Sequence, residues 1–167
     1  MDAQIKKTAL RMIPYGLYIL TSESKDGQIA AATINWVTQA SFEPPLLAIG
    51  VKADSGAHEI IKETKTFALN ILGKGQQDLA YTFFKTLERD GNSIGGEAFT
   101  LGKSGAPILD NAAAYLECSF IESIERGDHS IFLGEVIEAG VNCEILGRAD
   151  EETLVLGDLG EKVFYGG

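Results

Sequence analysis

What this chain of 167 residues has little of narrows its chemistry before any motif is considered. Its two cysteines, Cys118 and Cys143, and two histidines, His58 and His129, stand at no metal-ligand spacing. A metal centre is therefore not expected, and the thiols read as free and reduced, as in a cytoplasmic protein. Fourteen basic residues stand against 24 acidic ones, for a net charge of -10. Without a basic stripe, neither nucleic acid nor an anionic membrane surface is an expected partner. No apolar run is long enough to span a bilayer, and the N-terminal segment, interrupted by Arg11 and Pro14, is unlike a secretory signal. Also missing are a nucleophile elbow, a GxxxxGK phosphate loop, a Rossmann glycine fingerprint and a convincing catalytic carboxylate pair. The expectation is a soluble, cytoplasmic protein without hydrolytic or metal chemistry of its own.

Against these absences stands a hydrophobic content of 45%, sufficient for one domain, taken as 1–167, with a proper core. The stretch Gln28–Val51 organises the rest. From Gln28 to Phe42 it carries no charge, yet Thr33, Asn35, Thr38, Gln39 and Ser41 make it more polar than a plain core strand. Pro44 and Pro45 break it, since proline fixes φ and supplies no N–H to a ladder. Leu46–Val51 follows as a short apolar run of the kind buried on both faces. Neutral hydrogen-bonding groups gathered around a turn suit a flat, uncharged heterocycle with donors and acceptors along its edge.

Elsewhere, Asp2 can cap a helix that places Ile5, Ala9 and Met12 on one face and ends before Pro14. Tyr15–Ser22 alternates and leads through Lys25-Asp26-Gly27 into the central stretch as a hairpin. Ser55 is a candidate N-cap for a helix with Ile60 and Ile61 buried, and Thr66–Leu72 reads as a strand containing Asn70. Gln76–Lys85 reads as a helix with Leu79, Ala80 and Phe83 on one side. Leu87–Gly105, glycine-rich and without a period, reads as a long surface excursion. Ala114–Glu125 and Ser130–Ala139 flank Arg126-Gly127-Asp128-His129 as a second hairpin. A further apolar run covers Thr153–Leu156, and the chain ends Phe164-Tyr165-Gly166-Gly167. Closely spaced strands with few short helices predict a mainly β, antiparallel barrel.

In this order, several segments resemble the flavin reductase family, the FMN-binding split β-barrels. They are Gly16–Thr21, Ala32-Thr33-Ile34-Asn35, Ser41–Leu46, Phe67–Leu72, Gln76 with Leu79, Ala80 and Phe83, and Gly127-Asp128-His129 followed by Ile131–Val136. The likeness runs from about Pro14 to Val141 and is nearest to the flavoredoxin-like branch, whose members include domains fused to rubredoxins or flavodiiron proteins. No CxxC pair accompanies it, so no rubredoxin domain is expected here.

The resemblance implies a Greek-key split barrel that binds FMN, with FAD as the alternative flavin, and takes hydride from NADH or NADPH. It implies backbone amides of Thr33, Ile34 and Asn35 on the flavin edge, with Asn35 or Ser41 adding a side-chain contact and Trp36 walling the ring. Ser55, with Lys52, Lys85 and Thr86, would meet the phosphate, although Ala57 stands where the family commonly has threonine. His129 is the catalytic-site candidate, near the nicotinamide approach. The resemblance further implies a homodimer and a redox partner or other acceptor: free flavin, ferric iron, oxygen or a protein. Read alone, Asn35 and Ser41 fit a satisfied polar strand end better than a ligand contact and Trp36 fits a core residue better than a ring wall, while Lys85 and Thr86 fit a solvated helix end equally and His129 fits an exposed turn. A flavin carrier or electron relay without a nicotinamide site remains the alternative function, and an unrelated small-ligand barrel the third.

Overall fold

The turn at Lys25-Asp26-Gly27 forms as expected, with Gly27 at φ 85°, a conformation glycine adopts without steric penalty. The structure is a computed structural model and describes residues 1–166; Gly167, part of the expected terminal segment and domain, lies outside the described residues. In chain order the elements are α1 (Ala3–Arg11), β1 (Tyr18–Glu23), β2 (Ile29–Ile34), β3 (Val37–Ser41), β4 (Leu46–Lys52), α2 (Gly56–Thr64) and β5 (Thr66–Ile71). There follow α3 (Gln77–Thr82), β6 (Arg89–Asp90), β7 (Ser93–Ile94), β8 (Glu97–Leu101), β9 (Pro107–Leu109), β10 (Ala114–Glu125) and β11 (His129–Val141).

Seven strands form an antiparallel sheet in the order β2-β1-β5-β10-β11-β4-β3. Its two edge strands, β2 and β3, are joined only by Asn35 and Trp36. The sheet must curl until its edges meet at that link, giving a barrel open along the β2–β3 seam, where no ladder forms among the described residues. This is the mainly β, antiparallel architecture expected. The uncharged stretch from Gln28 to Phe42, expected as one strand, is two strands on opposite edges. Its polar residues are therefore divided: Thr33 and Asn35 line a cavity at the seam, while Thr38, Gln39 and Ser41 lie along β3 outside it.

Burial corrects other expectations. In β4, Leu47, Ile49 and Val51 are buried while Leu46, Ala48 and Gly50 are only half-buried, so the strand alternates instead of being buried on both faces. The Leu87–Gly105 segment is not a bare excursion. It supplies most of a four-stranded sheet in the order β6-β7-β8-β9, with Ile94 and Phe99 buried. Gly91, Gly95 and Gly96, all at positive φ, make turns too tight for a readable period. Helix α3 stops at Thr82, earlier than expected. In α1 the Asp2 carboxylate accepts from the Ile5 amide at 2.9 Å as predicted, but none of its residues is buried and Ile5 and Met12 are exposed.

Alternation in β1 serves two cores. Leu17 and Ile19 join Leu72, Leu79, Phe83, Ile94, Phe99, Leu109 and Leu154. Leu20 joins Ile49, Ile61, Phe67, Leu69, Cys118 and Phe132. Gly134 permits that second packing, because a Cβ there would meet Phe67 Cζ at 2.6 Å. Burial pushes the Cys118 thiol up to about 12, which makes it an inert apolar filler at neutral pH.

Candidate functional site

A cavity of about 730 Å³ opens around the seam, within the roughly 300–1,000 Å³ typical of small-molecule and cofactor sites. Residues of β2 and the Asn35–Trp36 link line it, together with the end of β4, the start of α2, Phe83–Leu87 after α3, His129 and the C-terminal Val163–Tyr165. The curl of the sheet assembles these segments, which are far apart in sequence.

At the α2 end, Ser55 caps the helix: its hydroxyl accepts from the His58 amide at 3.3 Å and donates to the Lys52 carbonyl at 2.7 Å. The Gly56 and Ala57 amides lie in the first turn, where no intrahelical carbonyl is available, and both residues line the cavity. A helix N-terminus of this kind favours an anion. Lys52 lies beside it but is paired with Asp54 at 2.9 Å. The hydrogen bond to that carboxylate, and then its charge, raise the Lys52 pKa, while the same contacts lower that of Asp54. Asp54 lines the cavity and was not foreseen; an anion at Lys52 must compete with it. Lys85 and Thr86 line the cavity as expected, and no ion pair of Lys85 occurs among the described residues.

At the seam, the Thr33 amide donates to the Phe83 carbonyl at 3.0 Å and its hydroxyl to the Ala80 carbonyl at 2.7 Å. Thr33 thus ties β2 to α3 and has neither donor free, contrary to the role expected of its amide. Ile34, Asn35 and Trp36 do line the cavity. Gly50 lets β4 lie close against Trp36, since a Cβ there would sit 3.0 Å from the indole, and the Gly50 amide donates to the Trp36 carbonyl at 2.8 Å. Among the described residues the Trp36 Nε1–H is buried without a hydrogen-bond partner, which suits it to meet a ligand acceptor. Ser41 is placed apart: as the last residue of β3 it pairs with Leu46 of β4 and is not among the cavity residues, because it lies at the far end of β3 from Trp36.

His129 is not the exposed turn residue of the simpler reading. As the first residue of β11 it pairs with Lys52, and its side chain is only 16% exposed. Its Nδ1 lies 3.0 Å from the Asp128 carboxylate and its Nε2 2.7 Å from the Tyr165 hydroxyl. A carboxylate only accepts, so Nδ1 carries the proton, and in the neutral ring Nε2 accepts from the phenol. The His129 bond holds the Asp128 carboxyl below its ordinary range. The imidazole centroid lies 4.6 Å from the Trp36 ring and 5.9 Å from that of Tyr165. Sequence reading assigned the terminal aromatic pair no role, because no periodicity connects it to the seam.

Size, a helix N-terminus beside Lys52, Lys85 elsewhere in the lining, aromatic walls and an indole donor unpaired among the described residues together fit a flat ring carrying an anionic arm. The fold and cavity define a mainly antiparallel β protein built around one ligand-sized seam. The chain belongs to the flavin reductase-like domain family, whose model matches residues 10–158. It is 31% identical over 81% of its length to a protein of Rhizobium meliloti named as a probable flavin reductase. It is 34% identical over 84% of its length to a diflavin flavoprotein of Synechocystis. The chain spans 42% and 24% of those two relatives' own lengths. A solved NADH:FAD oxidoreductase of Streptomyces globisporus superposes with a TM-score of 0.70 at 33% identity, covering 83% of this chain and 81% of the other.

Proposed function

We propose that the chain, acting as a single domain over 1–167, is an NAD(P)H:flavin oxidoreductase that holds FMN in the seam cavity. The observation that carries this reading is the joining of an anion-favouring helix start to an aromatic-walled cleft with an indole donor that is unpaired among the described residues. When bound, flavin would accept hydride from the nicotinamide and deliver the electrons to an acceptor, which is the cofactor's chemistry rather than the protein's. The chain's part is placement. The Gly56 and Ala57 amides, with Lys52 and Lys85, would hold the phosphate; Ile34, Asn35 and the Trp36 indole would fix the ring edge; His129 would orient the nicotinamide. FMN suits the cavity because a monophosphate ends at one helix start, with FAD the alternative flavin. Either NADH or NADPH serves as donor. A partner protein is among the acceptors, as the partial match to a diflavin flavoprotein suggests. No helix among the described residues is long and apolar enough to cross a membrane. The reaction is assigned to the cytoplasm, where reduced nicotinamide nucleotide and free thiols coexist.

FMN-loaded protein should bleach within seconds on anaerobic addition of NADH or NADPH, followed by flavin absorbance in stopped flow. FMN that binds but is reduced by neither nucleotide would leave the alternative, a flavin carrier without a nicotinamide site.

The proposal includes a homodimer. On the long β10–β11 hairpin, Ile124 and Ile131 are cross-strand partners and stand 53% and 50% exposed, with Ile121 and Ile137 similarly bare. A second copy would cover them, since single exposed apolar residues are ordinary but a run along one hairpin is not. Sedimentation equilibrium at micromolar concentration should give twice the chain mass; a monomer would remove the dimer from the proposal.

A further inference from the structure

Residues 161–166 form no helix or strand, yet they enter the cavity and take up its polar groups. The Tyr165 carbonyl accepts from Asn35 Nδ2 at 3.4 Å, and its phenol bonds His129 Nε2 at 2.7 Å. Its ring lies against Trp36, with centroids 5.4 Å apart. His129 is the side chain a nicotinamide entering here would use, so the Tyr165 phenol and that ring cannot both have it.

We infer that Tyr165 is a specificity-determining residue of the nicotinamide position: its phenol stands where the nicotinamide ring binds and must leave when that ring enters. The inference rests on the reductase reading above. A phenol is a six-membered ring with one hydrogen-bonding substituent, as nicotinamide is with its carboxamide. The incoming group thus replaces both the stacking on Trp36 and the bond to His129.

The tail's attachments suit an exchangeable occupant. Phe164 and Tyr165 remain 52% and 48% exposed while seated, so release uncovers little further apolar surface. Arg11 places its guanidinium 4.1 Å from the Phe164 ring centroid and donates from Nε to the Gly166 carbonyl at 3.4 Å, a tether from α1 that is exposed to water. Among the described residues, the seated tail gives the Trp36 indole N–H no hydrogen-bond partner. A Cβ on Gly166 would lie 3.5 Å from that nitrogen, so the tail shields the donor without bonding it.

A tail seated about nine-tenths of the time weakens apparent nucleotide affinity about 10-fold, because only the vacated form binds. The test compares the full FMN-loaded chain with one ending at Val163 and with Tyr165→Ser, titrating each with NAD+, which binds without reducing the flavin. The dissociation constant should fall about 10-fold in the shortened chain and about 3-fold in Tyr165→Ser. Trp36 is the chain's single tryptophan. Its emission in the flavin-free protein should change on shortening, which reports the seated tail independently of turnover. Unchanged or weaker NAD+ binding in both variants overturns the inference, as does unchanged Trp36 emission. If NADH and NADPH both fail to reduce the full-length flavin-loaded protein, the reductase reading falls and the inference with it. Normal reduction with unaltered nucleotide affinity on shortening removes the inference alone.

Discussion

Asn70→Ala should destabilise the protein by about 3–4 kcal/mol, the sum expected when several buried hydrogen bonds lose one shared partner. Asn70 is fully buried in β5. Its Nδ2 donates to the Ile19 carbonyl at 3.1 Å and to Thr21 Oγ1 at 3.0 Å, while its Oδ1 accepts from the Leu109 amide at 2.8 Å. Thr21 in turn donates to the Pro107 carbonyl at 2.5 Å. These contacts hold β9, an edge strand of the small sheet, onto β1 and β5. Alanine would strand the Leu109 N–H in a dry interior and leave a cavity besides. Urea denaturation should show a lower midpoint at similar slope. A loss under about 1 kcal/mol would mean that water replaces the amide, and that the two sheets are not held together through it.

Gly56→Pro should separate the anion-binding role proposed for α2 from its structural role. Proline is tolerated at the first helical position, where its missing N–H has no intrahelical use. Ser55, at φ -97° and ψ 149°, already has the extended backbone that a following proline demands. Nothing lies within 4 Å of where a Gly56 Cβ would be. Thermal stability should therefore hold or rise slightly, through a less flexible unfolded chain. One amide aimed at the phosphate would be lost, so FMN affinity should fall about 10-fold, or roughly 1.4 kcal/mol, while riboflavin, which lacks the phosphate, should bind as before. Parallel fluorescence titrations decide this. Equal losses for both flavins, or none for FMN, would move the phosphate away from α2.

Strand positions and local chemistry were legible in the sequence, because alternation, capping and turn residues act over a few positions. Asp2 and Ser55 are N-caps in the structure, the Lys25–Gly27 turn forms, and the Ala114–Ala139 region is the long hairpin. The resemblance to the flavin reductase family was legible for the same reason: its short motifs are contiguous. Segments whose order depends on distant partners were not. Leu87–Gly105 has no period of its own, and its strands exist because Ile94 and Phe99 find the core beside Leu17 and Phe83.

The site divides in the same way. That uncharged hydrogen-bonding residues gather near Asn35, and that Ser55 begins a helix, follows from the order of residues alone. Only the curl of the sheet decides that Asn35, Trp36, Ser55, Lys85 and His129 share one cavity and that Ser41 does not. Thr33 looked like a ligand donor until the structure showed its amide and hydroxyl committed to Phe83 and Ala80. Asp54 beside Lys52 stood plainly in the sequence, but its opposition to an anion becomes visible only when the pair sits at the cavity wall. Tyr165 lies 36 residues from His129 and 130 from Asn35, yet it bonds both. No local rule carries information over such separations; closure of the chain around a shared core does.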